Sequence, residues 1–139
     1  MEWLKSFGIL IGRILLVLIF LKSGIGKIED FNGTAQYMAS HGIAPYTNFF
    51  LIGAVFLELV GSATVILGYF ARFGTVLLLL FLIPTTLIFH DVFTNPNQDI
   101  MIQFMKNVGI FGGLLVLFSV GPGRFSLDYF FRREKKREE

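Results

Sequence analysis

The sequence predicts an all-α membrane protein: a bundle of four transmembrane helices, both termini cytoplasmic, with a short outer-surface helix between spans one and two. Three observations carry that prediction. Four continuous apolar runs each approach the roughly 20 residues that cross a bilayer as a helix. The composition is 54% hydrophobic with a mean hydropathy of +0.68, more apolar surface than one soluble domain of 139 residues can hide. Charged residues make up 16%, against about 25% in ordinary globular chains, and few of them fall inside the runs.

Span one is expected over Leu4–Ile25, carrying Arg13 and Lys22. Span two covers Phe49–Phe70, with Glu58 as its only charge before the end. Span three, Phe73–Phe89, is uncharged and contains Pro84, and span four, Ile100–Val120, has Lys106 near its start. The runs are continuous rather than alternating, which excludes barrel strands of about 10 residues. A cleaved signal peptide is disfavoured for the first run, because its apolar part is long and no small-residue cleavage site follows promptly.

The connections add detail. The turn around Arg72 is tight, so spans two and three form an antiparallel hairpin. The longer connection from Gly26 to Asn48 contains a helical stretch, Thr34–His41, with Thr34 as its N-cap and Gly42 as its stop, placed to act as a lid. Asn95-Pro96-Asn97 is a turn signal. Gly8 and Gly12, and likewise Gly109 and Gly113, have the small-residue spacing that lets helices approach closely, read here as packing within the bundle. The Arg-Phe pairs at Arg72-Phe73 and Arg124-Phe125 end spans two and four alike, a weak internal echo.

Lys and Arg in short loops set orientation. Lys5, Arg72, Arg124 and the tail fall on one side, the opposite side holds Lys22 and Lys27, and the loop from Asp91 to Asp99 has neither Lys nor Arg, so both termini are expected in the cytoplasm. Residues 1–131 read as one transmembrane domain and 132–139 as a charged cytoplasmic tail. That tail is the only basic cluster, so it suits a membrane-side anchor and not nucleic acid. The absence of cysteine excludes a disulfide framework, a CxxC redox pair and thiolate metal sites.

Charges inside spans cost roughly 2.5–3.5 kcal/mol each at mid-helix on insertion scales, so they face the bundle interior and pair. Arg13 and Glu58 each lie near the middle of their runs, and adjacent antiparallel helices would bring them level. An Arg13–Glu58 pair is therefore expected, either to fix helix register or to line a polar cavity with Glu58 as proton carrier or ligand contact. A second polar group, with Lys22, Lys27, His90, Asp91, Lys106 and Asn107, collects at the outer end. Lys22 reads as a snorkelling anchor, and Lys106 is divided between snorkelling and an inward role. His90 reads as a hydrogen-bonded interface residue, because His41 is the only second imidazole and sits in a loop; neither haem nor zinc is expected. Ser23-Gly24-Ile25-Gly26-Lys27 lacks the phosphate-loop spacing and no strand precedes it. No Ser/His/Asp arrangement is visible.

Several motifs in order are familiar: Arg13 before an apolar run, Ser23-Gly24-Ile25-Gly26-Lys27, and Phe31-x-Gly33-Thr34-x-x-Tyr37-Met38. They continue with Leu57-Glu58-Leu59-Val60-Gly61, Leu67-Gly68-Tyr69-Phe70-x-Arg72, Phe89-His90 and Lys106-Asn107. Together, from Gly12 to Asp128, they resemble the DoxX family of small bacterial membrane proteins. The resemblance implies a four-helix bundle in the bacterial cytoplasmic (inner) membrane. Some members of that family look like subunits of quinone-linked sulfur oxidoreductases, and others are associated with redox partners and oxidative stress.

Three readings of the polar residues compete. In the first, the chain is an accessory or quinone/small-ligand-binding subunit of a membrane redox system, with Arg13, Lys27, Glu58, His90 and Lys106 lining the pocket. It is then at most a non-catalytic or quinone-binding subunit of an oxidoreductase, with no cofactor of its own besides a bound quinone and a membrane or peripheral redox protein as partner. In the second it is a structural or assembly protein without a ligand. In the third it is a small proton-coupled transporter, of the kind that works as a homo-oligomer around one buried Glu. A carboxylate that must take up cations is poorly placed beside a permanent one, which disfavours the third.

Overall fold

The computed structural model describes residues 1–94 and 96–138, the last of these in its backbone only. The described residues form helices joined by short connections: α1 (Glu2–Glu29), α2 (Phe31–Met38), α3 (Thr47–Leu67), α4 (Ala71–Phe89), α5 (Gln98–Val120) and α6 (Leu127–Glu138). Helices α1, α3, α4 and α5 are long and apolar enough to cross a membrane, as the hydropathy pattern predicts. Their outward faces carry exposed Leu, Ile and Phe side chains, while Val17, Phe20, Val65, Leu78, Phe81 and Leu114 close a central core. Both termini lie at one end of the bundle, where Arg124 reaches Glu2 at 3.1 Å and Trp3 packs edge-on against Phe125 at 5.3 Å.

Glycine decides how closely α3 and α4 approach. A Cβ on Gly61 would stand 2.8 Å from Leu78 and 3.1 Å from the Gly74 carbonyl, and one on Gly74 would stand 2.9 Å from the Gly61 carbonyl. The two backbones are in contact there, and the hairpin closes through Gly68 in the left-handed region, φ +66°. The glycine pairs singled out from spacing behave differently. Gly8, Gly12 and Gly109 face open space, and within the chain only Gly113 meets a neighbour, Leu16 at 2.9 Å. The closest backbone approach therefore comes from Gly61 and Gly74, outside the spaced pairs, of which Gly113 alone packs tightly.

Three further expectations change. Helix α1 extends beyond the expected span at both ends, to Glu2 and Glu29. The short helix begins at Phe31, because the Asp30 side chain caps it by accepting the Gly33 N–H at 3.1 Å; the Thr34 hydroxyl instead donates back to the Asp30 carbonyl. A widened turn over Ala39–Ile43 follows, and Gly42 at φ +86° stops it as expected. The expected tail boundary after residue 131 falls inside α6. Of the Asn95-Pro96-Asn97 turn, Asn95 lies outside the described residues; Asn97 caps α5 by accepting the Ile100 N–H at 2.9 Å.

Candidate functional site

The expected Arg13–Glu58 pair does not form. Glu58 is fully buried and faces Lys27, Nζ to Oε2 at 2.8 Å. The reason is helix offset. α1 continues well beyond its apolar run, so Gly24, not Arg13, lies level with Glu58: a Cβ on Gly24 would touch the Glu58 Cβ at 3.3 Å. Arg13 lies about three turns away, roughly 16 Å along the helix at 1.5 Å per residue. It reaches the opposite end of the bundle, donating to the Pro122 carbonyl at 2.6 Å and to the Phe125 carbonyl.

Lys27 lies at the floor of an apolar cavity of about 750 Å³, with Glu58 paired to it behind the cavity wall. α3 supplies Phe49, Gly53 and Leu57, α4 supplies Phe81, Pro84 and Phe89, and α2 adds Thr34, Tyr37 and Met38. Tyr37 stacks on Phe89 with ring centres 5.5 Å apart, and His41 packs against both rings, so α2 is held over the cavity by aromatic contacts. Pro84 has no N–H to give the Leu80 carbonyl, and both residues line the cavity wall.

At the floor, the Lys27 ammonium has three N–H donors. Ser23 Oγ accepts one at 2.5 Å, and Glu58 Oε2 faces the ammonium as an ion pair at 2.8 Å. The third has no protein acceptor among the described residues, and the Phe81 ring lies 5.1 Å from the nitrogen. The cavity thus combines apolar and aromatic walls with one hydrogen-bond donor of positive charge. That combination suits an apolar molecule bearing an accepting oxygen. Ser62, also fully buried, leaves its hydroxyl without an acceptor one turn along α3 from Glu58.

The remaining predicted residues divide. His90 stands at the cavity rim. Lys106 is exposed on α5 and donates to Gln103 of its own helix, as a snorkelling side chain does. Its neighbour Asn107 turns inward instead and donates to the Thr86 hydroxyl of α4 at 3.0 Å. The five expected residues therefore do not share one pocket: Lys27 and His90 line the cavity, Glu58 pairs with Lys27 behind its wall, Lys106 faces out, and Arg13 serves the other end. Ser23 and Phe81 were not nominated. For Ser23 a signal existed, since it precedes Lys27 by four on one helix face; for Phe81, one aromatic residue among many, none did.

Partial burial, with the Lys106 ammonium adding to it, holds His90 below its ordinary value of 6.5. Lys106→Gln removes the second cause and should move the His90 titration upward, read from the imidazole resonances. The folded chain favours the neutral ring. Its contribution to stability is present above 6.5 and is lost as pH falls through the lower folded value.

The DoxX family model matches residues 8–91, from the first half of α1 through the His90 rim. The chain belongs to the DoxX family. Among relatives of this DoxX protein in Escherichia coli K12, inner membrane protein YphA is 41% identical over 123 residues, covering 86% of the chain and 87% of the relative. Inner membrane protein YqjF is 35% identical over 128 residues, covering 92% and 95%. This DoxX protein is accordingly a multi-pass inner-membrane protein. The SURF4 family model also matches, over residues 54–137. The Surfeit locus protein 4 homolog of Schizosaccharomyces pombe is 31% identical over 77 residues, 52% of this chain but 26% of that protein. No solved structure matches.

Proposed function

We propose that this DoxX protein binds an apolar, carbonyl-bearing molecule of the quinone class in the Lys27 cavity and serves a membrane redox system as an accessory subunit. The observation that carries the reading is the third Lys27 donor, which has no protein acceptor among the described residues at the floor of an apolar cavity of about 750 Å³. A quinone oxygen would accept that hydrogen bond while the ring lies among Phe81, Phe89 and Leu57. Glu58 holds the ammonium in place. Electrons would come from a partner protein, since the sequence has no cysteine and no flavin motif. Lys5, Arg72, Arg124 and the cations of α6 gather at the end with both termini, which favours that end as cytoplasmic and the Lys27 cavity as opening toward the outer side. Transport through Glu58 is disfavoured, because its carboxylate has an ammonium at 2.8 Å.

The test is mass spectrometry of small molecules that co-purify with the protein in nanodiscs formed directly from native membranes. A quinone should accompany the wild type. It should be lost from Gly53→Phe, which fills the cavity where a Cβ meets nothing within 4 Å, and from the paired change Lys27→Met with Glu58→Gln, which removes the donor without stranding a charge. A quinone retained equally by both variants rejects the site. A protein that is empty but brings down a dehydrogenase points to the assembly role instead.

A further inference from the structure

The opposite end of the bundle holds a second cavity of about 870 Å³, between the start of α1, the α3–α4 turn and α6. Four cations line it: Lys5, Arg72, Arg124 and Arg132. Its two carboxylates are already engaged. Glu2 pairs with Arg124 at 3.1 Å, and Asp128 accepts the backbone N–H groups of Phe70 and Ala71 at 3.0 and 3.2 Å. Arg72 reaches only the Ser119 carbonyl at 3.3 Å, and neither Lys5 nor Arg132 forms an ion pair among the described residues. Positive charge is therefore in excess.

A groove of about 500 Å³ leads out of this cavity between α1 and α5, sharing Lys5, Ile9, Val120 and Gly121 with it. Missing side chains make the groove: a Cβ on Gly8 or Gly12 would meet no atom within 4 Å. Leu4, Leu16 and Val116 give it apolar walls. Arg13 also lines it, with Nε buried and without an acceptor and no carboxylate within ion-pair distance among the described residues.

We infer that the two spaces form one binding site for an anionic phospholipid, the phosphate among Lys5, Arg72 and Arg132 and one acyl chain in the α1–α5 groove. Arginine matches phosphate oxygens in pairs, and basic pockets beside transmembrane helices take anionic headgroups. Exposed Tyr69, Phe70 and Phe131 surround the entrance, as aromatic side chains do at the level of headgroups. A second copy of the chain packed on Gly8 and Gly12 would fill the groove but leave the cations unpaired, so the lipid accounts for both features. This site is separate from the Lys27 cavity and does not depend on the function proposed for it.

The test uses the full chain in nanodiscs of mixed phosphatidylglycerol and phosphatidylcholine, released gently into a native mass spectrometer. The wild type should retain one phosphatidylglycerol in preference to phosphatidylcholine. Lys5→Gln with Arg132→Gln should weaken retention roughly thirtyfold, at the usual strength of one basic group near an anionic surface for each change. Gly12→Leu should fold normally, since its Cβ enters open space on a helix, and lose the lipid by blocking the groove. Three results would each overturn the proposal: retention unchanged in both variants, equal retention of the two lipids, or a change in subunit number without a change in lipid.

Discussion

Lys27→Met should lower the unfolding free energy in detergent by about 3–5 kcal/mol, and adding Glu58→Gln should restore most of it. Glu58 is fully buried, and Lys27 is its only charged partner among the described residues. Removing the ammonium strands a carboxylate in a medium of low dielectric; removing both charges leaves a neutral amide that the site can hold at modest cost. A double-mutant cycle makes the point sharper. Lys27 and Glu58 should show coupling well beyond 0.5 kcal/mol or so, whereas Arg13→Met and Glu58→Gln should add within about that margin, because the two side chains lie at different depths. Additivity for Lys27 with Glu58, measured by denaturant titration, would break the account of the cavity floor.

Arg13→Met is expected to cost about 3 kcal/mol and to loosen the end of the bundle that carries the termini. The guanidinium gives charge-assisted hydrogen bonds to the Pro122 and Phe125 carbonyls, each worth roughly 1.5–3 kcal/mol before the gain from burying a neutral side chain is set against them. The loss spreads because several contacts meet there. A Cβ on Gly68 would stand 2.6 Å from Arg13, the Gly68 carbonyl accepts the Asp128 N–H at 2.9 Å, and the Asp128 carboxylate caps α4 at Phe70 and Ala71. Hydrogen exchange should therefore accelerate in residues 121–128 and in the first turn of α4, while α2 over the Lys27 cavity stays as protected as in wild type. Uniform acceleration, with α2 included, would show that Arg13 acts on global stability alone.

The physical chemistry of single segments made much of this protein legible from its sequence. Water and lipid act on each apolar run independently of its neighbours, so four spans, their order, the tight α3–α4 turn and the stop at Gly42 could all be read directly. That Glu58 is buried and paired was also predictable, because an unpaired carboxylate in a span is too costly. Which cation pairs with it was not. Matching the midpoints of apolar runs assumes that helices align at their centres, but α1 is longer than its apolar run and slides past α3 until Gly24 packs on Leu59 and Glu58. Tertiary structure alone decided that register, and with it the replacement of Arg13 by Lys27, the inward turn of Asn107 in place of Lys106, and the capping of α4 by Asp128. Each depends on side-chain contacts between helices distant in sequence, and hydropathy records how deep a residue is buried but not which neighbour it meets there.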